Sequence, residues 1–166
     1  MTPAAQLANC VAAKFVKADP LDLVALCHEL GLRIREVSAK GFDGALIRSK
    51  AGQKGIVAVK ASIREASRKR FTIAHEIGHF ILHKGMSLHV DQDFRINLRD
   101  GSTNDEEIDA NAFAAELLMP TDFIGRDMQK TGGVGQQALE RLARRYQVSA
   151  RAMEIRLTNL GLKTPL

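Results

Sequence analysis

The sequence is poor in cysteine, with only Cys10 and Cys27 among its 166 residues. They form no CxxC pair and match no zinc-ribbon spacing, which excludes a cysteine-built metal module. Both fall within apolar helical patterns, so both are read as buried free thiols, which suit a reducing cytosol better than secretion. Long hydrophobic runs are missing as well, and no stretch approaches the ~18 apolar residues of a membrane span. The N-terminus has no basic leader followed by a clean apolar stretch, because Gln6, Asn9 and Lys14 interrupt it. Leu7-Ala8-Asn9-Cys10 is similar to a lipoprotein cleavage site but lacks the signal peptide that such a site needs. A cytoplasmic protein with no membrane partner is expected. No charge sign dominates strongly. Lys plus Arg number 24 against 19 Asp plus Glu, and the resulting +5 permits nucleic acid or an acidic partner without demanding either. Internal repeats and low-complexity tracts are absent.

What remains is an ordinary globular composition, 45% hydrophobic and 26% charged. A chain of this length suits one domain over 1–166 whose core needs no staples. Apolar residues recur at helical spacing from Ala5 to Val16. A second helix opens at Asp19-Pro20, buries Leu23, Leu26, Cys27 and Leu30, and stops at Gly31. Residues 32–37 alternate as a half-buried strand does. Residues 45–48 and 56–60 read as two more strands joined by a polar, Gly-containing loop. A long helix is predicted over about 67–84, an edge strand over 93–98, and a further helix over about 105–118 that ends before Pro120. Two or three shorter helices fill 121–162. Helices, then a small antiparallel three-stranded sheet, then more helices make an α+β domain. Its parts are N-terminal helices and a first strand (1–41), a core that would carry the chemistry (42–120) and a C-terminal helical region (121–166).

The long helix carries His75-Glu76-Ile77-Gly78-His79, the HExxH pattern of zinc metallopeptidases. Residues four apart share a helix face, so both imidazoles can reach one ion at ~2.0–2.1 Å. Glu76 projects about 100° away from His75, beside the metal and not on it, where it can act as general base and then general acid. The bland alternative is a helix that happens to carry surface histidines. A catalytic zinc needs a third protein ligand and an open position. Candidates are His83, Glu106, Glu107, Asp109 and Glu116. His83 sits ~12 Å along the axis from His75, too far to share the ion easily. Glu107 heads a helix face with Asn111, Ala114 or Ala115, and Leu118, and the small alanines would let that helix come close. A purely structural acidic residue near a helix N-terminus explains Glu107 equally well.

Two blocks carry a resemblance. Arg70 to His83 (RFTIAHEIGHFILH) resembles the active-site helix of the ImmA/IrrE metallopeptidase family, and Glu107 to Pro120 (EIDANAFAAELLMP) resembles that family's second motif. The tail over 142–162 is similar to the family's helical end. The resemblance implies a zincin-like fold with a gluzincin-like site: His75, His79 and Glu107 on zinc, or on manganese as the alternative metal, and Glu76 as the catalytic base. It places His83 outside the ligand set, in a supporting or structural role. Asn111, on the Glu107 face, and Arg95, on the 93–98 strand, are candidates to support the ligands or touch substrate, with a surface or structural role the preferred reading of Arg95. The implied activity is a metalloendopeptidase that cleaves a separate helix-turn-helix regulator and relieves repression. The alternative is a DNA- or partner-binding regulator with a structural or inert metal, in a toxin–antitoxin-like pair. Oligomeric state is left open.

Arg141, Arg144, Arg145, Arg151 and Arg156 crowd the tail, whose Val148-Ser149-Ala150 turn has a local helix-turn-helix look. The reading preferred here is two amphipathic helices packed on the core with solvated arginines, and no direct DNA contact. Arg64, Arg68, Lys69 and Arg70 are read as solvated, with attraction of an acidic substrate as the alternative. Tyr146 is read as a packed helix residue. The 45–60 hairpin is expected to offer an edge to an extended substrate.

Overall fold

The computed structural model describes residues 2–15, 20–38, 40–85, 87–91, 105–131 and 135–162. Among them are seven helices and four strands. Helix α1 (Pro3–Phe15) buries Ala4, Ala5, Ala8 and Ala12, a small-residue stripe that lets it lie along a later helix, α4 (Asp105–Leu118). Helix α2 (Leu23–Glu29) starts later than Asp19-Pro20. Its cap is Asp22, whose carboxylate accepts the N–H groups of Val24 and Ala25 and so satisfies two donors that no helical turn can reach. Gly31, at φ +73°, ends the helix as expected. Cys27 is buried, and burial pushes its thiol up to about 12; Cys10 is exposed, contrary to the reading of both thiols as buried.

The sheet differs from the three-stranded antiparallel expectation. It has four strands, β1 (Leu32–Val37), β2 (Gly44–Arg48), β3 (Gly55–Lys60) and β4 (Leu88–Asp91), in the order β1-β3-β2-β4. Strands β2 and β3 form the expected antiparallel hairpin, and β4 pairs antiparallel with β2, but β1 runs parallel to β3. Periodicity reports which face a residue takes and says nothing of strand direction. The connection over 38–43 carries the chain past one strand position, which β3 then fills. Lys60 donates its N–H to Asp43 O and Ala61 donates to Val37 O, so the end of β3 is bonded on both sides of that connection. Both flanks of the hairpin are therefore paired, and it offers no edge to a substrate. The strand expected over 93–98, with Arg95, lies outside the described residues.

Leu46, Val57 and Val59 face inward from the sheet onto Ala74 and Ile77 of helix α3 (Ala66–Leu82), and Phe113, Ala114 and Leu117 of α4 complete that core. Of the basic residues ahead of the motif, Arg64 is exposed as read, but the other three are bound. Arg68 pairs with buried Asp43, Lys69 with Glu36 at 2.8 Å, and Arg70 donates to Leu21 O at 3.1 Å. These contacts tie the start of α3 to the sheet and to the loop before α2. Beyond α4 come α5 (Thr121–Thr131), α6 (Gln136–Tyr146) and α7 (Ala150–Asn159). Leu139, Leu142, Ala143, Tyr146, Met153 and Leu157 are buried there, as expected of packed amphipathic helices. Arg141, Arg144, Arg145 and Arg151 are exposed, and Arg145 meets Asp127 at 2.9 Å. Arg156 departs from the solvated reading: it binds the buried carboxylate of Glu116 and donates to Met119 O at 3.0 Å.

Helices α3 and α4 touch at Gly78. A Cβ added there would lie 3.2 Å from both Cα and O of Ala110 and 3.3 Å from the Phe113 ring. Gly78→Val is expected to cost about 1–3 kcal/mol by overpacking, read as a lower denaturation midpoint. An unchanged midpoint would show that the two backbones can part freely.

Candidate metal centre

One turn of α3 separates His75 from His79, so their rings emerge on one face, with Nε2 atoms 3.0 Å apart. The close passage at Gly78 and Ala110 brings the first turn of α4 over that face. Glu107, three residues before Ala110, sets Oε2 3.2 Å from His75 Nε2 and Oε1 3.2 Å from His79 Nε2. For a tetrahedral ion with bonds of ~2.0 Å, neighbouring donor atoms stand ~3.3 Å apart. The two imidazole nitrogens stand 3.0 Å apart and each lies 3.2 Å from a different oxygen of Glu107, separations that fit donors gathered around such an ion. The far nitrogens are held too. Asn111 Oδ1 is 3.0 Å from His75 Nδ1, and His83 Nδ1 is 3.0 Å from His79 Nδ1. An Asn oxygen only accepts, so His75 Nδ1 donates to it, and Nε2 is the atom turned toward His79 and Glu107.

Of the other acidic candidates, Glu116 is buried against Arg156 and Thr121, in a structural contact, and Glu106 and Asp109 do not belong to the cluster. A fourth member comes from β4, where sequence reading did not look. His89 Nδ1 lies 3.1 Å from Glu76 Oε2 and its Nε2 lies 2.9 Å from Glu107 Oε1, with the ring stacked on His79 at 3.7 Å between centroids. One ligand atom from each of His75, His79, His89 and Glu107 falls within 4.8 Å of all the others. The available signal was the alternation Leu88-His89-Val90, which sets an imidazole on the face opposite two apolar residues.

Arg48 on β2 closes the end of α3. Its guanidinium donates to Phe80 O at 2.8 Å and to His83 O at 3.3 Å, and it lies over the Phe80 ring at 4.3 Å. A cation at these last carbonyls suits the negative end of the helix and fixes the turn that carries His79.

Burial lowers the pKa of His79 to about 4, against the hydrogen bond it donates to Glu107, which raises it. On His89 burial also opposes charge, but hydrogen bonds to Glu107 and Glu76 outweigh it and raise the value to about 10. Burial alone would raise Glu107, yet its hydrogen bonds to His75, His79 and His89 hold it well below the usual carboxylate range. A group whose folded value is raised contributes stability below its unfolded value and loses it as pH rises through the folded one. Chelator-treated protein should therefore lose thermal stability between pH 6.5 and about 10, and His89→Gln should flatten that decline. A decline of equal slope in both proteins would assign it elsewhere. Asn111→Ala should weaken zinc binding by about 10–100-fold in competition with a chromophoric chelator; unchanged affinity would remove Asn111 from the site.

These features make a helix-borne His/Glu cluster that could hold a metal ion. Residues 27–158 match the family model described as the IrrE N-terminal-like domain, and the chain belongs to that family. It is 33% identical over 111 residues to the radiation response metalloprotease IrrE of Deinococcus radiodurans, covering 64% of this chain and 31% of that protein. The protein of the same name from Deinococcus deserti is 36% identical over 100 residues, covering 57% of this chain and 33% of that protein. The chain thus spans about a third of the length of these relatives. Among solved structures, a Mycobacterium tuberculosis transcriptional regulator shares the fold with a TM-score of 0.62 at 15% identity, covering 95% of this chain and 47% of that one.

Proposed function

We propose that this chain is a zinc-dependent endopeptidase in which His75, His79 and Glu107 hold the metal and Glu76 moves the protons. The observation that carries it is the convergence of two imidazole nitrogens 3.0 Å apart with one carboxylate whose two oxygens lie 3.2 Å from one nitrogen each, beside the fully buried carboxylate of Glu76. Manganese is the alternative metal for a site containing a carboxylate. A divalent ion bound here supplies Lewis acidity and lowers the pKa of a water toward ~7. Glu76 would take a proton from the attacking water and deliver it to the departing amine, one carboxylate serving as base and then acid. Its place on α3, packed against Gly44 and covered by His89, keeps bulk water from competing for the proton. Residues 1–166 are read as one unit in which α1 and the C-terminal helices hold α4, and therefore Glu107, against α3.

The substrate assigned to this site is a separate helix-turn-helix regulator whose cleavage relieves repression. The resemblance of the two motif blocks supports that choice, as does the word metalloprotease in the names of both Deinococcus relatives. An extended segment of such a substrate would add along β4, the outer strand on the site's side of the sheet. A direct DNA role for the tail loses support because Arg156 is spent on Glu116 inside the protein. Two free cysteines agree with a reducing, cytoplasmic setting, and among the described residues no helix is long and apolar enough to cross a membrane.

The test pairs the zinc-loaded chain with a helix-turn-helix protein from the same genome, a neighbouring reading frame being the first place to look. Cleavage should appear with zinc and disappear with chelator. Glu76→Gln should keep the metal and lose at least roughly 100-fold in rate. Full activity in that variant would refute the assignment of Glu76, and an intact substrate in every arm would refute the substrate assignment.

A further inference from the structure

Strand β4 has its polarity reversed. In the register of the sheet, His89 stands opposite Leu46, which in turn stands opposite Val57, so the imidazole occupies the inward row beside two fully buried side chains. Its apolar neighbours Leu88 and Val90 face outward, 58% and 40% exposed. An edge strand that hides a histidine and shows leucine and valine to solvent gives up apolar burial, as sequences do where a site requires it. The ring has two contacts once it is inside. Its Nε2 reaches the carboxylate that joins His75 and His79, and its Nδ1 reaches Glu76. Ring stacking on His79 holds it parallel to a proposed ligand and within the 4.8 Å span of the donor atoms.

Catalytic zinc sites keep one position open, whereas sites with four protein ligands are closed. We propose that His89 is a fourth protein ligand of the resting metal centre, and that the ring must leave before a substrate carbonyl can enter. This rests on the peptidase reading of the same site. One imidazole then has two effects: it fills the coordination position and it covers the carboxylate that would move the protons. Among the described residues β4 is paired on one side only, through β2, so its ring can withdraw without breaking the hairpin.

The experiment counts ligands and does not require turnover. The full chain is loaded with zinc, and X-ray absorption at the zinc edge counts its imidazoles. Three are expected in the wild type and two in His89→Ala, with affinity lower by roughly tenfold or more in the variant by chelator competition. Acetohydroxamate, which binds zinc through two oxygens, should reduce the wild-type count from three to two and should bind the variant more tightly. Two imidazoles in the wild type, or equal hydroxamate affinity in both proteins, would overturn the proposal and leave the peptidase reading standing. Absence of zinc binding in the wild type would remove both. The wild-type count decides the question even if the variant fails to fold.

Discussion

The centre depends on how closely two helices can approach. Gly78 lies between the two motif histidines, and the Ala110 backbone passes where its side chain would stand. Glu107 is one turn before Ala110 on the same face of α4, so the spacing at that crossing sets its distance to the imidazoles. Metal–ligand distances tolerate only about ±0.2 Å. A helix pair held further apart would still fold, but it would leave the carboxylate short of the ion. The packing constraint and the coordination constraint are therefore the same constraint.

A second close contact serves the proposed base. A Cβ on Gly44 would come within 2.9 Å of Glu76 Oε1 and collide with the Thr72 methyl, so the first residue of β2 must be small for α3 to seat against the sheet. Glu76 is thereby buried beside the hairpin, where an isolated carboxylate would be costly. His89 offsets that cost by reaching it from β4 while also bonding Glu107. His89 thus joins Glu76 and Glu107 in one hydrogen-bonded set, and in such a set the loss of one member is felt by the others.

Much of this was legible in sequence. The i, i+4 histidines, the helix around them and the Glu107 helix could be read because helical spacing is local, and their approximate limits agree with α3 and α4. The contact that brings the two helices together was read only from one side. The alanines following Glu107 were credited, and Ala114 is fully buried, but the close approach at Gly78, inside the motif itself, and its partner Ala110 were not singled out. Strand direction was not legible, because alternation in 32–37 is the same whether β1 runs with or against β3. His89 was missed for a related reason. It sits in a four-residue strand too short to announce itself, and its meaning depends on register with Leu46, a relation between distant parts of the chain. Arg68, Lys69 and Arg70 before the motif were misread because Asp43, Glu36 and Leu21 O are their partners only in three dimensions.

The C-terminal helices make sense as a support for α4. Glu116, near the end of α4, is buried with its charge. Arg156 of α7 meets it, and Thr121 at the start of α5 donates to it from both backbone and hydroxyl at 2.9 Å. A buried ion pair contributes little net stability, since desolvation offsets most of the attraction, but removing one partner strands the other at considerable cost. Such a pair therefore fixes geometry more than it adds stability. The end of α4, the beginning of α5 and the middle of α7 must all meet at that carboxylate, which allows α4 little freedom to slide or roll. Glu107 lies at the other end of the same helix, so Arg156, one of the five tail arginines weighed as DNA contacts, instead helps hold that carboxylate facing His75 and His79.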